Sequence, residues 1–171
     1  MKGNVKKIWN AVTWLLVTAV VLLAVLLVGV RLVGFQAYTV LSGSMEPNIP
    51  VGALIYVKEV DPADVQPNDV ITYVLSNNMP STHRVVRVDA ENQHFYTKGD
   101  ANETEDGAPV HFKNLLGKPV FTIPYLGYVA HYIQNPPGMY VAISVGALIL
   151  LLVFLPDLFT DDKKKGDTPK G

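Results

Sequence analysis

An uncharged apolar run extends from Ala11 to Val30, between a lysine-bearing N-terminal stretch and Arg31. About 20 apolar residues in a helix rise roughly 30 Å, which matches the hydrocarbon thickness of a bilayer. A cleavable secretory signal has a shorter apolar core, of about 7–15 residues, followed by small residues at its cleavage site. The sequence therefore predicts a basic cytoplasmic tail at 1–10 and an uncleaved transmembrane signal-anchor helix at 11–33.

A second apolar run, from Met139 to Leu155, lies near the other end of the chain. It carries no charge, but its length is at the short end of the range that spans a bilayer, so a buried or interfacial helix is the alternative. We predict a second transmembrane helix at 138–156 and a disordered cytoplasmic tail at 157–171. Because lysine and arginine set orientation, the basic residues near both ends predict that both termini are cytoplasmic.

The segment between the apolar runs, 34–137, is then extracytoplasmic, and its acidic residues outnumber its basic ones. Short apolar and β-branched stretches in it are separated by turn signals, which is typical of β-strands. The candidate strands are Ala53–Val57, Val70–Val74, Arg84–Val88, His94–Thr97 and Val120–Ile123. We therefore predict a mostly β fold, a small folded sheet or partial barrel flanked by one N-terminal and one C-terminal transmembrane helix.

Composition excludes several classes of site. The chain has no cysteine, which excludes disulfides, cysteine nucleophiles and thiolate metal ligands. Its formal net charge is −1 at pH 7, so no basic surface indicates nucleic-acid binding. The acidic stretch Lys98–Asp106 lacks a complete calcium-loop pattern. We therefore expect no metal, no cofactor and no nucleic-acid partner.

A serine-containing turn, Ser42–Pro47, lies just beyond the first apolar run. Most Ser-Gly-Ser stretches are ordinary loops, but Gly43 suits a tight turn that presents backbone N–H groups to a ligand. Serine is a weak nucleophile unless a base takes its proton. The candidate bases are the chain's four histidines, of which the first ranks highest because it adjoins a predicted strand: His83, His94, His111 and His131.

A third group, usually a carboxylate, orients the imidazole of a catalytic histidine. The stretch from Lys98 to Asp106 supplies several carboxylates in one loop. A solvated acidic turn is the alternative interpretation of that loop. The residues alone leave open which carboxylate would serve.

Taken together, the order and spacing of several short stretches make the chain resemble signal peptidase I. The resemblance is to the archaeal and endoplasmic-reticulum type, which some Gram-positive bacteria also have, and it runs from the first apolar run to about Ile133. The stretches are, in chain order, Ser42–Pro47, Asn68–Ile71, Thr82–Val85, Lys98–Asn102 and Ile123–Gly127.

This resemblance implies a membrane-bound serine endopeptidase that removes signal peptides at small-x-small sites. It implies that Ser44 is the nucleophile and His83 the general base. The Ser44 backbone N–H, with Ser42, would hold the oxyanion. The resemblance favours Asp106 for direct contact with His83 and Asp100 for a supporting role, a choice that the sequence alone leaves open.

The resemblance also implies partners and a location. Substrates would be secretory preproteins whose signal segments lie in the lipid bilayer, and the protein-export machinery is a further expected partner. The substrate would lie extended beside a strand, with residues 38–41 as expected lining. The expected location is the cell membrane, as a multi-pass protein with its peptidase domain outside, or the endoplasmic reticulum membrane in a eukaryote.

Two alternative functions stay open at this point. One is a related regulatory serine protease, but the self-cleaving repressor proteases are soluble and use lysine where this chain has His83. The other is a non-catalytic membrane-anchored β domain that binds a surface partner, which would be expected to lose Ser44 or His83. A histidine base predicts that activity falls as the pH drops from about 8 to 5.

Overall fold

The computed structural model describes residues 2–74 and 79–161, with side chains described for 7–74 and 79–153. The chain forms two compact units, one comprising the two ends and the other comprising Leu27–His131. The helices are α1 Lys2–Leu27, α2 Leu126–Gln134 and α3 Gly138–Asp161. The strands are β1 Phe35–Thr39, β2 Leu54–Lys58, β3 Val70–Val74, β4 Pro80–Asp89, β5 His94–Lys98, β6 Val110–His111 and β7 Leu115–Ile123.

The predicted anchor at 11–33 is helical but not one continuous α-helix. α1 ends at Leu27, and a 3₁₀ turn over Gly29–Val33 follows it. The break has a local cause, since glycine disfavours the α-helix and Gly34 closes the turn in the left-handed region at φ 84°. Among the described residues, one helical segment, Lys7–Leu27, is by itself long and apolar enough to cross a membrane. The helices α2 and α3 are long and apolar enough only when they are taken together as one span with a bend of 91°.

The C-terminal apolar run is also helical. α3 starts at the predicted residue, Gly138, and continues through Pro156 to Asp161. Whether it crosses a bilayer stays a prediction. Of the predicted disordered tail, 157–171, the first five residues are helical as the end of α3, and the rest, from 162 onward, lies outside the described residues.

The unit Leu27–His131 is built on a seven-stranded antiparallel sheet in the order β1-β2-β7-β3-β4-β5-β6. β7 pairs with β2 over one part of its length and with β3 over another, with register shifts in both pairings, so the sheet folds into a partial barrel. The prediction of a mostly β domain is therefore confirmed. Val70–Val74 is a strand at its predicted bounds.

Two apolar clusters pack against this sheet, and each lies next to one part of the candidate site. Burying one such apolar side chain contributes about 1.5–3 kcal/mol, so both clusters hold their strands firmly. The first cluster consists of Val65, Ile71, Tyr73, Val85, Phe95 and Val110. The second consists of Met45, Ile49, Ala53, Ile55 and Val57.

Candidate active site

The Ser44 turn connects β1 to β2 and is anchored by the residues that follow it. Met45 is buried at 2% exposure, and Ile49 packs into the same apolar cluster. The Ile49 N–H donates to the Met45 carbonyl at 2.9 Å, and the Glu46 N–H donates to the Gly43 carbonyl at 3.0 Å. The buried residues after Ser44 therefore hold the turn in place, while the half-buried Ser44 side chain remains accessible.

The loop after β5 crosses the Ser44 turn and holds its backbone from the other side. The Ala101 N–H donates to the Ser44 carbonyl at 2.9 Å. A Cβ atom on Gly99 would lie 2.5 Å from that carbonyl oxygen and 2.8 Å from the side-chain Nδ2 of Asn102. The close crossing of the two segments therefore requires glycine at position 99.

His83 lies on β4, opposite Ile71 of β3, and joins Ser44 to Asp106. Its Nε2 lies 3.0 Å from the Ser44 Oγ, and its Nδ1 lies 2.5 Å from the Asp106 Oδ2. Beside an ionised carboxylate, Nδ1 carries the proton and donates to Asp106, so Nε2 accepts from the Ser44 hydroxyl. The hydroxyl, imidazole and carboxylate thus form one hydrogen-bonded path, with the imidazole 13% exposed and the carboxylate 21% exposed.

Asp106 lies in the loop between β5 and β6, and hydrogen bonds hold both its backbone and its side chain. Its backbone N–H donates to the Thr97 carbonyl at 2.8 Å. Its Oδ2 accepts from the Thr97 hydroxyl at 2.7 Å and from the Tyr73 phenol at 3.3 Å. Burial raises the pKa of the Tyr73 phenol, so the phenol remains a protonated donor at neutral pH.

Asp100, the other predicted carboxylate, has different partners. Arg84 donates to both of its oxygens at 2.8 Å, and Asn48 donates to Oδ2 at 2.7 Å. The hydrogen bond from Arg84 lowers the pKa of the Asp100 carboxyl below its usual value. Asp100 therefore connects the residue after His83 in β4 to the segment that follows Ser44.

The remaining predicted residues take distinct positions. The Ser42 Oγ lies 3.3 Å from the Ser44 Oγ at the exposed side of the turn. His94 and His111 pack edge to face on β5 and β6, with ring centroids 5.2 Å apart, and His131 lies in α2. Among the described residues, no group of three or more metal-binding side chains is close enough to hold an ion.

Tyr73 and Thr97 belong to the site but are not among the residues that the sequence singles out. In the sequence, each stands within an apolar or β-branched strand and has the character of an ordinary strand residue. One signal was available for Thr97: it stands two residues after Phe95 in the strand, so the two side chains lie on the same face, and a hydroxyl on a buried face needs a polar partner.

A groove of about 250 Å³ opens beside Ser44. The strand expected around residues 38–41 is observed as β1, which ends at Thr39, and the whole of 38–41 lines the groove. Further lining comes from Met45, Ile55 and Met79, so the groove walls are largely apolar.

Comparison with known proteins places these residues in a family context. A family model described as signal peptidase, peptidase S26, matches residues 11–105, a range that includes Ser44 and His83 and stops just before Asp106. Signal peptidase I W of Bacillus subtilis is 46% identical over 80 residues, which cover 45% of this chain and 42% of that protein.

Eukaryotic relatives match over a longer range at lower identity. The signal peptidase complex catalytic subunit SEC11C of Homo sapiens is 30% identical over 125 residues, which cover 66% of this chain and 65% of that protein. SEC11 of Pyricularia oryzae is 31% identical over 129 residues, which cover 67% of this chain and 72% of that protein. The chain thus spans less than two thirds of the length of the Bacillus and human relatives.

Proposed function

Since the chain belongs to the signal peptidase family, peptidase S26, we propose that it is a membrane-anchored serine endopeptidase that removes signal peptides from exported preproteins at small-x-small sites. The observation that carries this proposal is the hydrogen-bonded path from the Ser44 Oγ through His83 to Asp106. A nucleophile, a base and an orienting carboxylate are the parts that acyl transfer to serine requires.

In the acylation step, the Ser44 Oγ attacks the scissile carbonyl carbon while its proton passes to the His83 Nε2. The C–N bond then breaks, the imidazolium returns the proton to the departing amine, and the mature protein leaves with a free N terminus. The signal peptide remains on Ser44 as an ester. Asp106 stays ionised throughout and stabilises the imidazolium through Nδ1.

Deacylation repeats the proton transfer with water as the nucleophile. A water molecule gives one proton to the His83 Nε2 as its oxygen attacks the ester carbon. The ester bond breaks, Ser44 regains its proton from the imidazolium, and the signal peptide leaves with a new carboxylate. Both steps develop negative charge on the carbonyl oxygen.

We propose that the Ser44 backbone N–H and the Ser42 hydroxyl donate hydrogen bonds to this negatively charged oxygen. The two serine hydroxyls are neighbours at 3.3 Å, so Ser42 is close enough to donate to an oxygen bonded to the carbon that Ser44 attacks. Donors fixed in place before the reaction stabilise the developing charge without reorganisation.

Asp100 receives the supporting role. Through Arg84 and Asn48 it spans the two segments that carry the base and the nucleophile. Hydrogen bonds between charged groups are about twice as strong as neutral ones. Asp100 thereby maintains the distance between the Ser44 Oγ and the His83 Nε2 without contacting either reacting atom.

The groove beside β1 is the proposed substrate site. β1 pairs with β2 along one edge, and an extended peptide would add along the other, as in β-strand addition. Alternate side chains of an extended peptide point to the same face. The residues one and three positions before the cut therefore enter the groove together, and its limited volume favours small side chains.

The proposed membrane arrangement has α1 and α3 as two spans, both termini in the cytoplasm and the sheet domain outside. The length and apolarity of Lys7–Leu27 support the first span, and the uncharged sequence of 139–155 supports the second. Ser44 follows α1 closely in the chain. A signal peptide held in the same bilayer would reach it at a reduced entropic cost of alignment.

The test is cleavage of a purified preprotein that carries an Ala-x-Ala site, with the enzyme reconstituted in lipid vesicles and the products identified by mass. Wild-type protein should release a mature chain that begins directly after the second alanine. Ser44→Ala should leave the preprotein intact. Folded wild-type protein that also leaves it intact would contradict the proposed function.

A further inference from the structure

Two buried hydroxyls converge on the carboxylate oxygen that binds His83. Asp106 Oδ2 accepts the Thr97 hydroxyl at 2.7 Å and the Tyr73 phenol at 3.3 Å, and it is the same atom that faces the His83 Nδ1 at 2.5 Å. Thr97 is 1% exposed and Tyr73 is 2% exposed. The Tyr73 phenol also lies 3.4 Å from the His83 Nδ1 and 3.3 Å from the Thr97 hydroxyl.

We propose that Thr97 and Tyr73 are positioning residues that set the orientation of the Asp106 carboxylate and, through it, the orientation of the His83 imidazole. This inference rests on the proposed function of Ser44, His83 and Asp106 and deepens it. Neither hydroxyl touches the reacting atoms.

The need for such positioning comes from where Asp106 lies. His83 is carried by a paired strand, whereas Asp106 is carried by a loop, and groups on loops are held less accurately than groups on strands. Thr97 compensates with a two-point attachment: its carbonyl accepts the Asp106 backbone N–H, and its hydroxyl donates to the Asp106 carboxylate. The first contact places the loop, and the second fixes the rotation of the side chain.

The position of these hydroxyls in the sheet supports the same conclusion. Thr97 pairs with Val85, and Tyr73 pairs with Ser81, so both residues lie on the face that packs the apolar cluster of β3, β4 and β5. Packing alone would be served by valine and phenylalanine there. Burying a hydroxyl on that face costs free energy unless it is hydrogen-bonded, and the shared bonding partner is Asp106.

Loss of the Thr97 hydroxyl has two expected consequences. The imidazole is less well aligned with Ser44, so kcat falls by about tenfold, the factor that corresponds to one hydrogen bond of ordinary strength, while KM is unchanged. The carboxylate also concentrates more negative charge on His83, which favours the imidazolium. The acid limb of the pH profile of kcat/KM therefore moves to higher pH.

Other charges near His83 do not change in this substitution. Asp100 is the second carboxylate close enough to interact with His83, and it is paired with Arg84. Within the described part of the chain, Tyr73 is a further titratable group that packs against the imidazole, and the pKa of its phenol is raised by burial, so it stays neutral. A shift in the acid limb thus reports on Asp106.

The test compares Thr97→Val with Thr97→Ser and with Thr72→Val as a matched control. Thr72 is also a fully buried strand threonine, but its hydroxyl faces the other side of β3 and bonds the Thr82 hydroxyl at 2.9 Å. Thermal unfolding in detergent measures the structural cost of each change. We expect Thr97→Val to lower kcat and shift the acid limb, Thr97→Ser to restore both, and Thr72→Val to affect stability alone.

A readout that is independent of cleavage separates this inference from the proposed function. The imidazole of His83, followed by NMR in isotope-labelled protein, should titrate at higher pH in Thr97→Val than in wild type, and Tyr73→Phe should give a smaller shift in the same direction because its bond is longer. An unchanged His83 titration, or one that Thr72→Val reproduces, overturns the inference. If wild type cuts no preprotein while His83 still responds, the proposed function fails and the positioning role stands.

Discussion

Asp106 and Asp100 lie in one acidic loop, yet their side chains have different hydrogen-bond partners. Asp106 accepts from imidazole, threonine and tyrosine, whereas Asp100 accepts from Arg84 and Asn48. The sequence cannot separate the two because both follow β5 at a distance that a loop can close in several ways. Their difference arises from which face of β4 each carboxylate meets, since His83 and Arg84 are consecutive in that strand and their side chains point to opposite faces.

The ion pair of Asp100 with Arg84 predicts a particular dependence of stability on pH. The pKa of Asp100 is lowered in the folded protein, chiefly by the Arg84 hydrogen bond, from a reference value of 3.8. Its stabilisation is therefore fully present above that value and is lost as the pH falls through the lowered one. Asp100→Asn should unfold at a lower temperature than wild type at pH 7, and the difference should narrow as the pH falls below the reference value of 3.8.

Thermal unfolding in detergent across that range measures this gap. Asp61→Asn is a suitable control, since the Asp61 side chain accepts the Ala63 N–H at the start of the short 3₁₀ turn Pro62–Asp64. A gap for Asp100→Asn that stays constant from neutral to acid pH would contradict the assigned origin of the stabilisation.

The oxyanion assignment makes a graded prediction for the serine pair. Ser44→Ala removes the nucleophile and should abolish cleavage, whereas Ser42→Ala removes one donor and should lower kcat by about 10²–10³-fold. Ser42→Thr keeps a hydroxyl and should retain more activity than Ser42→Ala. Steady-state cleavage of a peptide substrate measures kcat for each variant. An equal fall in kcat for Ser42→Ala and Ser42→Thr would argue against a hydrogen bond donated by the hydroxyl.

At the scale of elements, the position of Ser44 depends on the loop after β5, which crosses the Ser44 turn. Gly99→Ala would place its Cβ against the Ser44 carbonyl oxygen, so the two segments must move apart. Displacement of a catalytic group by about 1 Å can cost about 10²-fold in rate, and we expect a fall in kcat of that size.

Gly107→Ala is the matched control for this prediction. It changes a glycine of the same loop whose added Cβ would meet nothing within 4 Å. Its activity should remain that of wild type. A Gly99→Ala variant that cuts as fast as Gly107→Ala would show that the crossing does not position Ser44.

Strands were easier to predict than the helix that follows them. The β-branched run Val70–Val74 predicts β3 at its observed bounds, because burial and local propensity agree there. α2 escaped prediction because it buries the small residues Gly127 and Ala130 and exposes tyrosines, which reverses the usual apolar pattern. Gly127 packs directly on the Ala53 carbonyl, a contact that sequence periodicity does not encode.

The side chains of the candidate site were predictable in kind, but the contacts that support them were not. Ser44 and His83 stand in stretches whose order and spacing resemble signal peptidase I, and that resemblance singled them out, whereas the residues alone left an ordinary loop and four histidines open. Thr97 and Tyr73 act through hydroxyls in strands whose sequences indicate only burial. Contacts between distant strands depend on register, which neither strand specifies alone.

For the whole molecule, the absence of cysteine permits a direct test of the proposed membrane arrangement. Thr104→Cys introduces a thiol in the exposed loop of the sheet domain, and Gly166→Cys introduces one in the tail, outside the described residues. A membrane-impermeant thiol reagent added to intact cells should label the first thiol at once and the second only after permeabilisation. Immediate labelling of the tail would contradict the second span.

The most direct test of the central claim is the cleavage rate of His83→Ala on a preprotein with an Ala-x-Ala site, measured beside His94→Ala. His94 is a histidine of the same sheet that packs on His111, so its loss controls for a general effect of removing an imidazole. A serine and histidine mechanism predicts that His94→Ala cuts at the wild-type rate and that His83→Ala loses activity by about 10⁴-fold or more. If His83→Ala cuts as fast as His94→Ala, His83 is not the base and the proposed mechanism is wrong.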